Sequence, residues 1–259
     1  MPSQPVVVIT GSTRGIGYAL AEELARRGAT VALSGRKSQA VEQAASQLAS
    51  RFSSDQVAGW TCDVRQAQEL QALWDQAAAR FGAVDIWINN AGAAHPQMKI
   101  WDQPQERIRE VIETNLLGAI FGSQVALRGM LAQGRGSLYT VEGLGADGRK
   151  QAGLTFYGAS KCGLHYFNQC LAAELRETNI VFGMIRPGMV LTGLVRDQYR
   201  GREEDWRRVE RILNAIASPL EAVAPALARR ILENRKTGVV IRYGSTWRIL
   251  WRMARMPRR

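Results

Sequence analysis

Tyr157 and Lys161 stand four residues apart in the string YGASK, one helical turn, so they share a face. A phenol with a pKa near 10 is a slow acid–base at neutral pH. A neighbouring ammonium favours the phenolate and lowers that pKa, as a general acid–base requires. Taken alone, such a pair is equally a surface contact on a helix. Upstream, "SLYTV" (Ser137 to Val141) reads as a buried strand, followed by Glu142, Gly143, Leu144 and Gly145. A hydroxyl to help the tyrosine would be sought at that point, yet no Ser or Thr occurs between Val141 and Leu154. Losing one such donor costs roughly 10²–10³ in rate, which an easy carbonyl such as an aldehyde tolerates. Gly143 and Gly145 are expected to leave room for a large substrate. Glu142 either donates when protonated or makes local hydrogen bonds at the strand end.

A second constellation binds rather than reacts. "TGSTRGIG", Thr10 to Gly17, leaves an apolar run and opens a helical pattern. Gly11, Gly15 and Gly17 permit a tight turn and close backbone approach, and the turn (with Ser12, Thr13, Arg14 and Ile16) offers helix N-terminal N–H groups to a pyrophosphate. After the next strand an acid would mark a 2′-hydroxyl, but the chain reads Ser34-Gly35-Arg36-Lys37. Arg36, with Arg14 aimed at the same corner, suits a 2′-phosphate, which points to NADPH (NADP⁺) as cofactor. Asp63, beside Val64 in "CDV", is placed to meet the adenine. Asn89 to Gly92, with Asn90 and Ala91 between them, closes a further strand. Asn115 lies inside a helical pattern where an amide is a poor choice.

Elements that could hold these residues follow from periodicity. Runs such as "PVVVIT", "TVALSG", "VDIWINNAG", "NIVFGMIRPG" and "TGVVIRY" alternate with segments of helical period. This predicts an α/β fold, a doubly wound parallel sheet (Rossmann fold) of about seven strands with helices on both faces, in a single domain. At 259 residues the chain can bury a sizeable core. It has no apolar run long enough to span a membrane, and its N-terminus has no signal or transit pattern, so a cytoplasmic site or the cytoplasmic face of a thylakoid-type membrane is expected. Cys62, Cys162 and Cys170 form no metal or redox pattern, and Cys62 and Cys170 read as reduced core thiols. With two histidines and no clustered ligands, no metal is expected.

The ordered set Thr10–Gly17, Asn89–Gly92, Asn115, Tyr157-x-x-x-Lys161 and Arg186-Pro187-Gly188 resembles the short-chain dehydrogenase/reductase family over roughly residues 5 to 242. The resemblance implies that Tyr157 donates a proton to a carbonyl, Lys161 holds the ribose and tunes Tyr157, and Asn115 anchors a water relay. Pro187, Gly188, Val190 and Thr192 would grip the carboxamide, and homodimers or homotetramers are usual. The family serine falls at Gly143 when counted from the strand and at Leu144 when counted from Tyr157. More narrowly, "EGLGADGR", "YGASKCGL" and "RPGMVLTGL" resemble chlorophyll b reductases of the plant non-yellow-colouring type. That implies reduction of the 7-formyl group of a chlorophyll(ide) b-type tetrapyrrole. A general short-chain ketoreductase on a lipid or quinone-like carbonyl, or a non-catalytic NADP-binding scaffold at a membrane, remain open.

Two further segments bear on the substrate. The region of about 190–217 is expected as a substrate lid, with Trp206, Val209, Leu213 and Ile216 on one apolar face. The net charge of +11 is concentrated after Arg229. Residues 245–259 read as a basic amphipathic tail, with Trp247, Leu250 and Trp251 on one face and Arg248, Arg252 and Arg255 on another. This pattern fits either an anionic membrane surface or packing on a subunit. Nucleic acid lacks a recognition motif here.

Overall fold

A computed structural model describes residues 4–244, and the tail expected at 245–259 lies outside them. Val6–Ile9 forms β1, and all four residues are buried. An apolar run buried on both faces belongs to a central strand of a covered parallel sheet. The chain then alternates through α1 (Gly15–Arg26), β2 (Thr30–Gly35), α2 (Ser38–Ala49), β3 (Val57–Thr61), α3 (Ala67–Phe81) and β4 (Ile86–Asn89). It continues with α4 (Gln105–Ile112), α5 (Gly118–Gln133), β5 (Gly136–Val141), α6 (Thr155–Glu174) and β6 (Ile180–Arg186). The last described elements are α7 (Gly193–Asp197), α8 (Glu203–Ile216), α9 (Leu220–Glu233) and β7 (Val239–Arg242). The strands form one 7-stranded parallel sheet in the order β3-β2-β1-β4-β5-β6-β7. The winding reverses between β1 and β4, which opens a crevice at the carboxyl edge.

Successive residues of β1 serve opposite faces, as the pleat requires. Val7 and Ile9 pack with Leu20 and Leu24 of α1 and Leu227 and Ile231 of α9. Val8 packs with Leu70, Leu73 and Trp74 of α3 and Val125 and Met130 of α5. Register then aligns the strand ends: Ile9 pairs with Ile88, Asn89 with Thr140, Val141 with Ile185, and Arg186 with Arg242. The two buried faces therefore bring the loops after β1, β4, β5 and β6 to one edge.

Between α4 and α5, Glu113–Leu117 forms a π-helical turn. Such turns concentrate at functional sites. The inward stripe of α6 runs through Tyr157, Lys161, Leu164, Asn168 and Leu171. Cys170 lies off that stripe and is exposed, which corrects its reading as a core thiol; Cys62 is buried. No residue of α8 is fully buried. Among the described residues no helix is long and apolar enough to cross a membrane.

Candidate active site

The turn after β1 is knitted to the turn after β4. Thr10 Oγ1 accepts from the N–H groups of Asn90 and Ala91 at 3.0 and 3.1 Å. Asn90 Nδ2 donates to the carbonyls of Thr10 and Gly11, each at 2.9 Å. A Cβ on Gly11 would stand 2.7 Å from Ala91 Cα, and one on Gly17 would stand 2.4 Å from Asn90 Nδ2. Those glycines therefore make room for the neighbouring loop. Gly15 does something different: with φ +62, a Cβ there would meet only Thr192, at 3.8 Å. Ser12 is internal, donating to the Ile9 carbonyl at 2.7 Å and accepting from Ser34 N–H at 3.0 Å. Thr13 lies against Gly35, and Ile16 packs on the core. No side chain caps the start of α1, so its first-turn N–H groups are available to an anion.

At the adenosine corner, Arg36 pairs with Glu110 of α4 at 3.2 Å. Asp63 is held by Arg65, with Nε 3.0 Å from both carboxylate oxygens, and this pairing pulls its carboxyl below the ordinary range. Val64 packs against Gly118, where a Cβ would stand 2.7 Å from its side chain. The Arg14 guanidinium pairs with Asp197 of α7 at 3.6 Å and rests where Gly193 has no side chain. The two arginines are thus engaged with different helices, α4 and α7.

The chemical centre is built where β4, β5, α6 and the π-helical turn converge. Asn115, 1% exposed, accepts from Ala93 N–H at 2.7 Å and donates to the Ala93 carbonyl at 3.0 Å. Its amide also donates to Ser160 Oγ at 3.1 Å, and Ser160 in turn donates to the Tyr157 carbonyl at 2.7 Å. Asn115 therefore clamps the loop carrying Gly92 to the helix carrying Tyr157. Tyr157 and Lys161 are 5% and 6% exposed. Lys161 Nζ donates to the Val141 carbonyl at 3.4 Å. A Cβ on Gly143 would stand 2.8 Å from Tyr157 Oη and 3.5 Å from Lys161 Cε. This places Gly143 directly beside the phenol; Leu144 packs against the cluster of Val111, Leu154, Phe156 and Tyr157.

Burial sets the protonation states. It pushes the Tyr157 phenol up to about 12, which reverses the sign expected from the lysine alone. It pulls the Lys161 ammonium down to about 8, with Glu142 acting against that fall. For the phenol, burial is the cause of the rise.

Of the two readings of Glu142 the structure shows local hydrogen bonding, and the reading of Gly145 as widening the pocket is corrected. The Glu142 carboxylate is fully buried and engaged with Arg186, His165 and Asn168, so it is not offered to a substrate. Gly145, at φ +101, would put a Cβ 2.8 Å from the Gly158 carbonyl, so its missing side chain lets the loop lie on α6 rather than widening a pocket. Trp206 packs inside the 193–216 segment, 5.6 Å from Tyr199 and 5.9 Å from the Arg196 guanidinium. After β6, Pro187 and Gly188 lead to Val190, whose side chain joins the core, and to Thr192 at the start of α7 over the glycine turn. Sequence reasoning overlooked Ser160, His165 and His95. His95 is buried and stacks on Phe156 with ring centroids 3.7 Å apart. For His165 a signal existed: it lies four residues after Lys161 on the same helix.

Fold and site together define a Rossmann-type oxidoreductase. The chain belongs to the short chain dehydrogenase family, matched over residues 5–203. It is similar to a protein named chlorophyll(ide) b reductase NOL, chloroplastic, of Oryza sativa subsp. japonica, 35% identical over 230 residues. That alignment covers 87% of this chain and 66% of the rice protein, so this chain spans less than two thirds of its relative's length. An oxidoreductase of Staphylococcus aureus (strain USA300) is 34% identical over 218 residues, covering 83% of this chain and 91% of that one. Among solved structures, an actinorhodin polyketide ketoreductase with NADPH superposes with TM-score 0.83 at 26% identity, covering 92% of this chain and 95% of the other.

Proposed function

We propose that this chain is an NADPH-dependent reductase of a tetrapyrrole aldehyde, converting the 7-formyl group of chlorophyll(ide) b to 7-hydroxymethyl. The observation that carries the reading is Gly143 standing directly beside the Tyr157 hydroxyl, in a chain similar to a named chlorophyll(ide) b reductase. With no hydroxyl side chain at that position, the site suits a carbonyl that needs little polarisation, and an aldehyde is such a carbonyl.

The residues present fit a dinucleotide. The uncapped start of α1, with Gly15 open beneath Thr192, would hold the pyrophosphate. Arg36 at the end of β2 would meet the 2′-phosphate, and Lys161 the ribose. When bound, the reduced nicotinamide supplies a hydride to the carbonyl carbon. Tyr157 Oη gives its proton to the carbonyl oxygen, and the formyl group becomes a primary alcohol. Because burial holds the phenol near 12, Tyr157 is in its proton-donating form throughout the physiological range. Asn115 keeps the loop after β4 fixed against α6. The segment containing α7 and α8 would cover the substrate, and the basic residues after 245 would hold the protein at an anionic membrane carrying it.

The test is anaerobic incubation of the protein with NADPH and chlorophyll b or chlorophyllide b, followed by absorbance. The expected result is conversion to the 7-hydroxymethyl spectrum, abolished in Tyr157→Phe with NADPH binding retained. Normal NADPH binding without a spectral shift would reject the pigment and call for a panel of other carbonyls.

A further inference from the structure

The loop between β4 and α4 is fastened to the catalytic side of the molecule at three points. Asn115 holds its start through the N–H and carbonyl of Ala93. His95 stacks on Phe156, the neighbour of Tyr157, with ring centroids 3.7 Å apart. Met98 N–H donates to the Gly153 carbonyl at 3.3 Å, just before α6 begins. Gly153, at φ +81, lets the two loops lie close, since a Cβ there would stand 3.2 Å from Gln97 Cβ.

Gln97 joins this loop to the segment that carries α7 and α8. Its N–H donates to the Gln198 carbonyl at 2.9 Å, and its carbonyl accepts from Arg202 Nη1 at 2.9 Å. The other side of the Arg202 fork grips Asp205 in the first turn of α8, with Nε 2.7 Å from Oδ2. Neither α7 nor α8 has a fully buried residue, and Trp206, Val209, Leu213 and Ile216 are only half-buried. An element with so little buried surface opens at low cost, and individual hydrogen bonds then decide where it rests. The Arg14–Asp197 pair also reaches this segment, but at 3.6 Å and with the guanidinium 73% exposed it contributes little. A planar guanidinium serves a carboxylate and a carbonyl at once, whereas an ammonium on a flexible stem acts as a point charge. We propose that Arg202 is a positioning residue: through the Gln97 carbonyl it latches the α7–α8 segment to the loop that stacks beside Tyr157. The inference rests on the reading above, in which α7 and α8 cover the substrate.

Amide exchange of Gln97, read by NMR in the cofactor-free protein, reports the latch directly, because that N–H is bonded across to Gln198. Arg202→Gln should speed it about tenfold while the amides of β1 and β4 stay as protected as in wild type. Arg202→Lys should not restore protection, because a lysine drawn to Asp205 leaves the Gln97 carbonyl unbonded. With NADPH and chlorophyllide b, Arg202→Gln should raise KM for the pigment about tenfold and leave kcat within about twofold, since closing the segment becomes harder while the reacting groups are untouched. Unchanged exchange at Gln97, full restoration by Arg202→Lys, or an unchanged KM would overturn the proposal. So would faster exchange spread evenly through β1 and β4, the mark of general destabilisation. Exchange needs no substrate: if chlorophyllide b is not turned over, the pigment assignment fails and the exchange rates alone decide the latch.

Discussion

A Cβ at position 143 would stand 2.8 Å from the Tyr157 hydroxyl, inside the closest approach that real Cβ atoms make. The strand end before it is fixed by register and the phenol is buried, so relief has to come from the phenol itself. Displacing a reacting group by about 1 Å costs on the order of 10²-fold. Gly143→Ala is therefore expected to lower kcat by about that factor while leaving NADPH affinity near wild type. Parallel kinetics and cofactor titration check this, and an unchanged kcat would mean that the phenol has another acceptable position. Tyr157 and Lys161 were legible in the sequence because their relationship is local, one helical turn. The Glu142 cluster was not. His165 and Arg186 are 23 and 44 residues from Glu142, and only the packing of α6 and β6 against β5 brings them together.

The proposed preference for NADPH is tested at the scale of the elements. Arg36 follows β2, and its guanidinium reaches across to Glu110 on α4, which Arg107 also contacts. A 2′-phosphate entering this corner would compete with Glu110 for an exposed guanidinium. Charge-assisted hydrogen bonds contribute about 1.5–3 kcal/mol, so Arg36→Ala should weaken NADPH by roughly tenfold to a hundredfold and NADH hardly at all. Fluorescence titration of both cofactors reads this, and equal losses would misplace the phosphate. The strands, their parallel order and the glycine turn were visible as apolar runs with helical segments between them. The π-helical turn was hidden, because its Asn115 clamps Ala93, 22 residues away, and no local pattern encodes that contact. The Gly145 reading failed for the same reason. Sequence shows an absent side chain, but only the fold shows the Gly158 backbone occupying that space.

At the scale of the whole molecule, the site holds a buried cation at a cost that the two packed faces of the sheet offset. Lys161 titrates near 8 when folded against 10.5 when free. Below pH 8 both states carry the proton, and the folded state bears the full desolvation penalty. Between 8 and 10.5 the unfolded chain binds a proton that the folded one does not, so stability from this group rises with pH across that window. Above 10.5 the penalty has gone. Lys161→Met should therefore be inactive yet more stable than wild type at pH 7, by up to about 3 kcal/mol. That advantage should shrink from pH 8 upward and close near 10.5. Tyr157, raised from 10.0 to about 12, acts in the opposite sense above pH 10, but it is common to both proteins and cancels in the difference. Denaturant unfolding of the cofactor-free protein and the variant from pH 6 to 10 measures this. A gap that stays constant with pH would assign the change to methionine packing, and a wild type more stable at pH 7 would show that Glu142 compensates the buried ammonium completely.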